Sequence, residues 1–330
     1  MRSGGCCRAG SDAVGETPLV TVIIPTRDRP ALVARAVHSA VRQTHERLEI
    51  VVVDDGSISP LDLPPELAGD PRVQTLRLNT PVGAGAARNV GVRASRSAFL
   101  AFLDDDDQWR PTKIQRQVEA LARCDKGVAA VETGYDLWDG ARLVQRYLPR
   151  PDRDLRTALL AQPLLQPSTV LLRRSAFEAL GGFDPSLNRV EDWEFWVRFA
   201  DSYEAAALPE VHVDRRASQA AADELLVWYQ EIVRRLEPRI DALPPPERSR
   251  TRAVHLLAES HLLALLGEAK AARTKALLAL RERPRGWPRP ALYVVRSFIG
   301  ERAWSASKVA LRVTLHPVLK ALGRDPLRRG

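Results

Sequence analysis

The apolar positions of the chain change period several times, and the changes mark out its elements. Val20-Thr-Val-Ile-Ile24 is a short β-rich run ended by Pro25. Pro30 stands where a helix can start, and Leu32, Ala36, Val37 and Ala40 then recur at helical spacing as far as Gln43. Residues 50–53 are apolar without a break, the pattern of a strand buried on both faces. The same reading predicts strands over 73–78, 98–103 and 128–131, and helices over 84–95 and 111–123. Strands alternating with helices across short turns predict an α/β fold with a mostly parallel sheet flanked by helices on both faces. Such sheets place their ligand sites beyond the carboxyl ends of the strands. From about Asp214 the pattern is helical only. Ala/Leu/Arg-rich stretches predict an appended α-helical C-terminal region with helices over 218–237, 248–267 and 269–282. Proline clusters at 244–246 and 284–290 separate or end them.

A length of 330 residues suits one large or two modest domains. The division expected is a disordered N-terminal tail over 1–17, an α/β domain over 18–213 and a basic helical region over 214–330. Charge sharpens that division. The net charge is +8, yet residues 270–330 hold 15 Lys/Arg and 3 acids, a balance of +12, which leaves 34 Lys/Arg and 38 acids elsewhere, a balance of −4. The basicity therefore belongs to the C-terminal stretch, where arginines mix with Trp287, Tyr293, Phe298 and Trp304. That mixture suits an anionic bilayer surface, an RNA surface or a plain solvated helix face. No run approaches the ~20 apolar residues of a membrane-spanning helix. The N-terminus lacks the apolar segment of a secretory signal. Cys6, Cys7 and Cys124 offer neither metal spacing nor a disulfide framework, which suits a reducing compartment. The expected location is cytoplasmic, with the inner face of the membrane as the place a basic tail would meet.

The polar residues at the strand ends carry the chemistry. Pro25-Thr26-Arg27-Asp28 follows the first strand, Asp54-Asp55-Gly56-Ser57 the second, and Asp104-Asp105-Asp106-Asp107 the run 98–103. Four adjacent carboxylates repel one another unless solvated or bound to a cation, and oxygen-only ligands suit Mg2+ or Mn2+. A solvated acidic turn is the alternative, and the apolar strand directly before it argues for the cation. Asp54-Asp55 is either an acceptor for a base or ribose, or an ordinary Asp-Gly turn. Arg88 and Asn89 sit near the start of a helix behind Gly83-Ala84-Gly85, a setting that suits a diphosphate but is also plain helix-entry sequence. Glu191 and Asp192 open an amphipathic helix after Gly181-Gly182-Phe183-Asp184, where acids are also favoured by the helix dipole alone.

Taken together, Val20-Thr-Val-Ile-Ile-Pro-Thr-Arg-Asp-Arg-Pro30, Ser39-Ala-Val-Arg-Gln-Thr44, Glu49-Ile-Val-Val-Val-Asp-Asp-Gly-Ser57, Ala87-Arg-Asn-Val-Gly91 and Phe102-Leu-Asp-Asp-Asp-Asp-Gln-Trp-Arg-Pro111 resemble the family 2 glycosyltransferases. The resemblance continues through 181–184 and 191–198 and covers about residues 19–213. Arg27 stands where an aromatic residue is frequent, and Asp105 fills the variable place of the Asp-x-Asp motif. The resemblance implies a GT-A fold, inversion at the anomeric carbon, a nucleotide-sugar donor, a saccharide or lipid-linked acceptor and a divalent metal, Mn2+ or Mg2+. It implies that Pro25, Thr26 and Arg27 line the nucleotide pocket, that Asp55 meets the base, and that Arg88 approaches the nucleotide or diphosphate. Asp104 and Asp106 would be the metal motif, with Asp105 between them beside the donor and Asp106 the direct ligand. Asp192 would be the general base, with Glu191 its rival. A lipid-linked acceptor favours a membrane over nucleic acid as the partner of the basic tail. Two other classes compete: a nucleotidyltransferase-like enzyme, against which the lack of a glycine-rich or Lys-containing phosphate loop counts, and an inactive sugar-nucleotide-binding protein, against which the intact acids count.

Overall fold

The structure is a computed structural model that describes residues 17–125, 127–217 and 220–282. The expected disordered tail, apart from its last residue, lies outside the described residues, and so does the basic stretch after 282. The chain divides into two compact units, 1–219 and 220–330. The boundary expected at 213/214 moves to 219/220, because the last strand of the first unit runs on to Arg216.

The first unit opens with β1 (Val20–Thr26), α1 (Pro30–Val41), β2 (Leu48–Asp54), the short α2 (Pro65–Ala68), β3 (Val73–Arg77), α3 (Ala84–Arg93) and β4 (Phe99–Phe102). These strands lie in the order β3-β2-β1-β4 and all run parallel. The unbroken apolar runs follow from cover on both faces. Val22, Ile24, Ile50 and Val52 share a core with Val33, Ala36, Val37 and Ala40 of α1. On the other face Ile23 and Val53 meet α3 so closely that a Cβ on Gly91 would fall 2.6 Å from an Ile23 methyl. Pro25 is tolerated inside β1 because β4 pairs only with residues 20–23, so no ladder bond is lost on that side.

Beyond β4 the sheet is mixed. β5 (Gln108–Trp109), α4 (Lys113–Ala122), β6 (Val128–Asp139), β7 (Arg142–Tyr147), α5 (Leu155–Ala161), β8 (Val170–Arg173), α6 (Arg174–Ala179), α7 (Glu191–Ser202) and β9 (Glu204–Arg216) complete the unit. β8 runs antiparallel to both β4 and β6, β7 antiparallel to β6, β5 antiparallel to β9, and only β6 with β9 is parallel. Parallel pairing thus describes the sheet as far as β4. The periodicity that announced the first strands is absent from β7, whose residues are almost all exposed, and is diluted by alanines in β9.

Phe102, Phe177, Phe183, Phe195 and Phe199 form one aromatic cluster, with Phe183 5.2 Å from Phe102 and 5.0 Å from Phe195 between ring centres. Phe102 ends β4 and Phe195 lies in the second turn of α7, so the cluster sets the spacing between the loop after β4 and the start of α7. Removing one such ring costs about 3–5 kcal/mol.

The second unit is helical over its described residues: α8 (Ala222–Asp241), α9 (Pro245–Leu265) and α10 (Ala269–Arg281). α9 and α10 turn back on each other at Gly267, whose φ of +79° only glycine adopts without strain. Ala253, Leu257 and Ala279 pack between them, and Ser260 donates to the Ala272 carbonyl at 2.8 Å. Among the described residues no helix is long and apolar enough to cross a membrane.

Candidate active site

The four aspartates after β4 do not share one environment. Asp105 accepts from the Thr26 hydroxyl at 2.7 Å and from Arg29 at 3.1 Å. Asp107 accepts from the Arg216 backbone N–H at 3.0 Å and from Arg215 at 3.3 Å. Their side chains are only 9% and 2% exposed, whereas Asp104 and Asp106 keep 25% and 31%. Alternate carboxylates therefore anchor the turn, and the other two stay partly exposed, Asp106 within 3.5 Å of Arg29. The cost of crowding shows in their proton affinity. Burial, with Asp104 adding, holds Asp106 above the usual carboxylate range, against Arg29. Burial likewise raises Asp105 against its bonds to Thr26 and Arg29. Burial pushes Asp107 up to about 7, with Asp104 and Asp106 adding and Arg215 opposing.

One helix joins this turn to the acids of α7. Helical spacing puts Gly85, Arg88, Asn89 and Val92 on adjoining turns of α3. Arg88 is buried and donates from one Nη to Asp104 and from the other to Glu191, both at 2.6 Å. Burial works against its charge, but Asp104, Glu191 and Asp192 outweigh it, and the guanidinium holds its proton more tightly than usual. A Cβ on Gly85 would lie 2.6 Å from the Glu191 side chain, so the glycine is needed for that approach. Asn89 exchanges two hydrogen bonds with the Phe183 backbone, at 2.8 and 3.0 Å, and pins the loop that leads to α7. Arg88 thus organises acids from inside the protein; both its Nη groups are committed.

α7 begins under strain. Val190, its N-cap, has φ of +56°, a costly value for a β-branched residue, and Asp28 beyond β1 has φ of +54°. Among the described residues these are the two non-glycine residues in the left-handed region. Such strain costs about 1–3 kcal/mol and persists where the surroundings enforce it. Here it aims Glu191 and Asp192 inward. Asp192 Oδ1 accepts from the Trp193 N–H at 2.8 Å. Burial pushes Asp192 up to about 7, with Glu191 adding and Arg88 opposing.

The other expected residues separate. Thr26 lines a cleft of about 240 Å3 with Asp28, Arg29, Ser57 and Leu61. Pro25 is buried within β1, and Arg27 is exposed beside Asp28 at 3.5 Å. Asp55 accepts from the backbone N–H groups of Val82 and Gly83 at 2.7 and 2.9 Å and so holds the entrance to α3. Sequence reasoning passed over Arg29, Ser168 and Arg215. Ser168 accepts from the Asp104 N–H at 3.1 Å, and both it and Arg215 reach the turn through long-range pairing that leaves no local signal.

The residue set fits a divalent cation in one manner. Among the described residues no three His, Cys, Asp or Glu side chains converge on a metal position. Two partly exposed carboxylates, Asp104 and Asp106, match the way Mg2+ and Mn2+ are held, by one or two carboxylates completed by phosphate oxygens and water.

Residues 21–181 match the profile of glycosyl transferase family 2. An uncharacterized glycosyltransferase of Rickettsia prowazekii is 30% identical over 190 residues, which are 56% of this chain and 59% of that protein. The chain therefore spans less than two thirds of the length of that relative. A putative teichuronic acid biosynthesis glycosyltransferase of Bacillus subtilis is 29% identical over 185 residues, 54% of this chain and 71% of the relative. A mannosyltransferase from Pyrobaculum calidifontis, solved in complex with GDP-Man and Mn2+, aligns with a TM-score of 0.54 at 19% identity over 89% of this chain and 88% of its own, a likeness of fold. The first unit has the GT-A fold, and its residues 21–181, which take in both the acidic turn and the helix that organises it, match glycosyl transferase family 2.

Proposed function

We propose that this protein moves a sugar, with inversion, from a nucleotide-diphosphate sugar to a hydroxyl of a saccharide or lipid-linked acceptor in the synthesis of a cell-surface polysaccharide or glycolipid. The observation that carries the reading is Arg88, one buried guanidinium holding Asp104 of the acidic turn and Glu191 of the acid pair at 2.6 Å each. It keeps a donor-side and an acceptor-side carboxylate group in fixed relation.

In this reading Thr26, with Pro25 and Arg27 beside it, borders the nucleotide, and Asp55 meets the base with the lone pairs that Val82 and Gly83 leave. Asp104 and Asp106 hold a divalent ion, Mn2+ or Mg2+, which when bound stabilises the charge of the leaving diphosphate. Arg88 and Asp105 fix the acids that touch donor and metal. The acceptor hydroxyl gives its proton to Asp192, through the oxygen that does not accept from Trp193. Its oxygen forms the bond to the anomeric carbon while the bond to the diphosphate oxygen breaks, the electron pair leaving with the diphosphate. A carboxyl raised to about 7 is a stronger base than an ordinary one and is half ionised near neutrality. Glu191, bound by Arg88, is committed elsewhere. Relatives named for succinoglycan and teichuronic acid biosynthesis support a polysaccharide product.

The test is hydrolysis and transfer with a panel of UDP-, GDP- and dTDP-sugars, in Mn2+, in Mg2+ and in EDTA. Metal-dependent turnover of one donor is expected. Failure to bind or turn over any of them sinks the reading. For location we propose the cytoplasmic membrane face, through the basic stretch 270–330. Full-length protein should co-sediment with anionic vesicles at low salt and not at high salt. Equal binding to neutral vesicles, or none, removes that part.

A further inference from the structure

A second cleft, of about 410 Å3, is lined by Asp106 and shares no lining residue with the one beside Thr26. Its walls are Arg35 of α1, Trp138 at the end of β6, Gly140 in the β6–β7 turn, and Arg215 and Arg216 at the end of β9, with Asp106 at its edge. The charges do not cancel. Asp214, which also borders it, is neutralised by Arg110 at 2.9 Å and accepts a hydrogen bond from the Trp138 indole at 3.0 Å. Arg215 is committed to Asp107 at 3.3 Å and stacks 5.0 Å over the Tyr135 ring. Arg35 and Arg216 are exposed, and neither guanidinium has an acidic partner among the described residues. The backbone of Arg216 is itself held by buried Asp107 at 3.0 Å, so the surplus cation is mounted on the acidic turn.

We infer that this cleft is a subsite for an oxyanion, phosphate or carboxylate, carried on the sugar acceptor. Guanidinium forks recognise both groups. Trp138 offers a flat apolar wall for the adjoining sugar ring, and Gly140 leaves the mouth open, since nothing lies within 4 Å of where its Cβ would stand. The inference rests on the transferase reading, which seats the nucleotide in the cleft beside Thr26 and leaves the separate cleft at Asp106 for the acceptor. An acidic acceptor would be drawn in by the two free arginines, whereas the aspartates alone would repel it.

The experiment measures binding of glucose 1-phosphate, glucuronate and neutral glucose to the full-length protein by calorimetry or ligand-observed NMR. It compares wild type, Arg35→Ala, Arg216→Ala and the pair. Nucleoside diphosphates with Mn2+ are titrated in parallel. One or both anionic sugars should bind, glucose should not, and high salt should weaken binding. Loss of an arginine should weaken it about tenfold or more, the effect of one charge-assisted hydrogen bond, and Arg216→Lys should restore part of it. The sugar that binds tells phosphate from carboxylate. Nucleotide affinity should stay within about twofold in every variant. Equal binding of glucose and the anions, or anion binding indifferent to both arginines, overturns the subsite. Parallel loss of nucleotide binding would make the cleft part of the donor site and overturn it as well. Absence of nucleotide binding in wild type would instead overturn the transferase reading.

Discussion

Two acidic turns close β2 and β4, the two parallel strands that flank β1, and only the second holds carboxylates raised above their usual range. Asp54, at the end of β2, is wholly buried and accepts from the Ser57 and Leu61 N–H groups at 3.0 and 3.3 Å and from Arg77 at 2.8 Å. Burial works to raise its pKa, but those hydrogen bonds and Arg77 outweigh it and hold Asp54 below the usual range. Asp55 is taken by two backbone N–H groups. After β4 the balance reverses. Asp105, Asp106 and Asp107 are all raised, by burial first and then by neighbouring carboxylates, Asp104 or Asp106. In the first turn Asp54 is spent on satisfying backbone and Arg77. The second is under electrostatic load that a cation would relieve. An Asp-Asp pair in sequence does not say which it is; the donors that arrive from elsewhere decide.

The largest expected effect sharpens that contrast. Asp106→Ala should abolish transfer and weaken nucleotide binding in Mn2+, while the fold stays intact and the metal-free melting temperature holds or rises slightly, since one repelling charge is gone. Full activity of this variant, or of wild type in excess EDTA, would show that the second turn is as structural as the first. Next comes the acid pair. Asp192→Asn should cut turnover about 10²–10⁴-fold, the range for losing a general base, with donor affinity little changed. The wild-type rate should fall on the acid side with an apparent pKa near 7, where Asp192 takes up its proton. If Glu191→Gln is the dead variant and Asp192→Asn the active one, the base is misassigned by one residue.

The contrast also marks how far sequence carried. β1, β2 and β4 were legible because burial on both faces makes them apolar without interruption, and the acids at their ends stood out against those runs. Arg88 and Asp192 stood out weakly by their place at helix starts and drew their expected roles from the family resemblance. Their relation was not legible, because it depends on Gly85, on Phe183 within the aromatic cluster and on left-handed Val190, none of which has a local signature. β9 and β8 were invisible for a different reason. Their partners lie some 40 to 105 residues away, so Ser168 and Arg215 reach the acidic turn by pairing that periodicity does not encode. Of Pro25, Thr26 and Arg27, expected together at a nucleotide, Thr26 lines the cleft beside β1, with Asp28 and Arg29.

A third variant probes the first turn. Asp54→Asn keeps the shape but gives Arg77 an amide in place of a carboxylate. Arg77 is 39% exposed, so solvent softens the loss. The cost should be about 2 kcal/mol, from weakened charge-assisted bonds, or a fall in melting temperature of about 4–8 °C. Turnover per folded molecule should stay within about threefold. A stable variant with lost turnover would place Asp54 in the site and erase the distinction between the turns.

The smallest effect is a slope. Asp107 has a folded pKa of about 7 against an ordinary 3.8 unfolded, so between those values the native state binds more protons than the unfolded one. Its contribution to stability therefore falls as pH rises from about 4 to 7 and is least favourable above 7. Asp54 has the opposite sign: its folded value is lowered, so its contribution is present above about 3.8 and is lost as pH falls through the folded value. Other buried groups act in the upper window. Burial lowers both His212 and Lys113, and each favours the fold as pH rises. The informative quantity is thus a difference. The melting temperature of wild type minus that of Asp107→Asn, in metal-free buffer, cancels the groups common to both. That difference should increase by a few degrees as pH drops from 8 to 5, because the wild-type carboxyl becomes neutral like the amide. For Asp54→Asn the same difference should stay flat from 8 to 5 and change only below about 4. Matching slopes for the two variants above pH 5 would mean that both turns carry the same load.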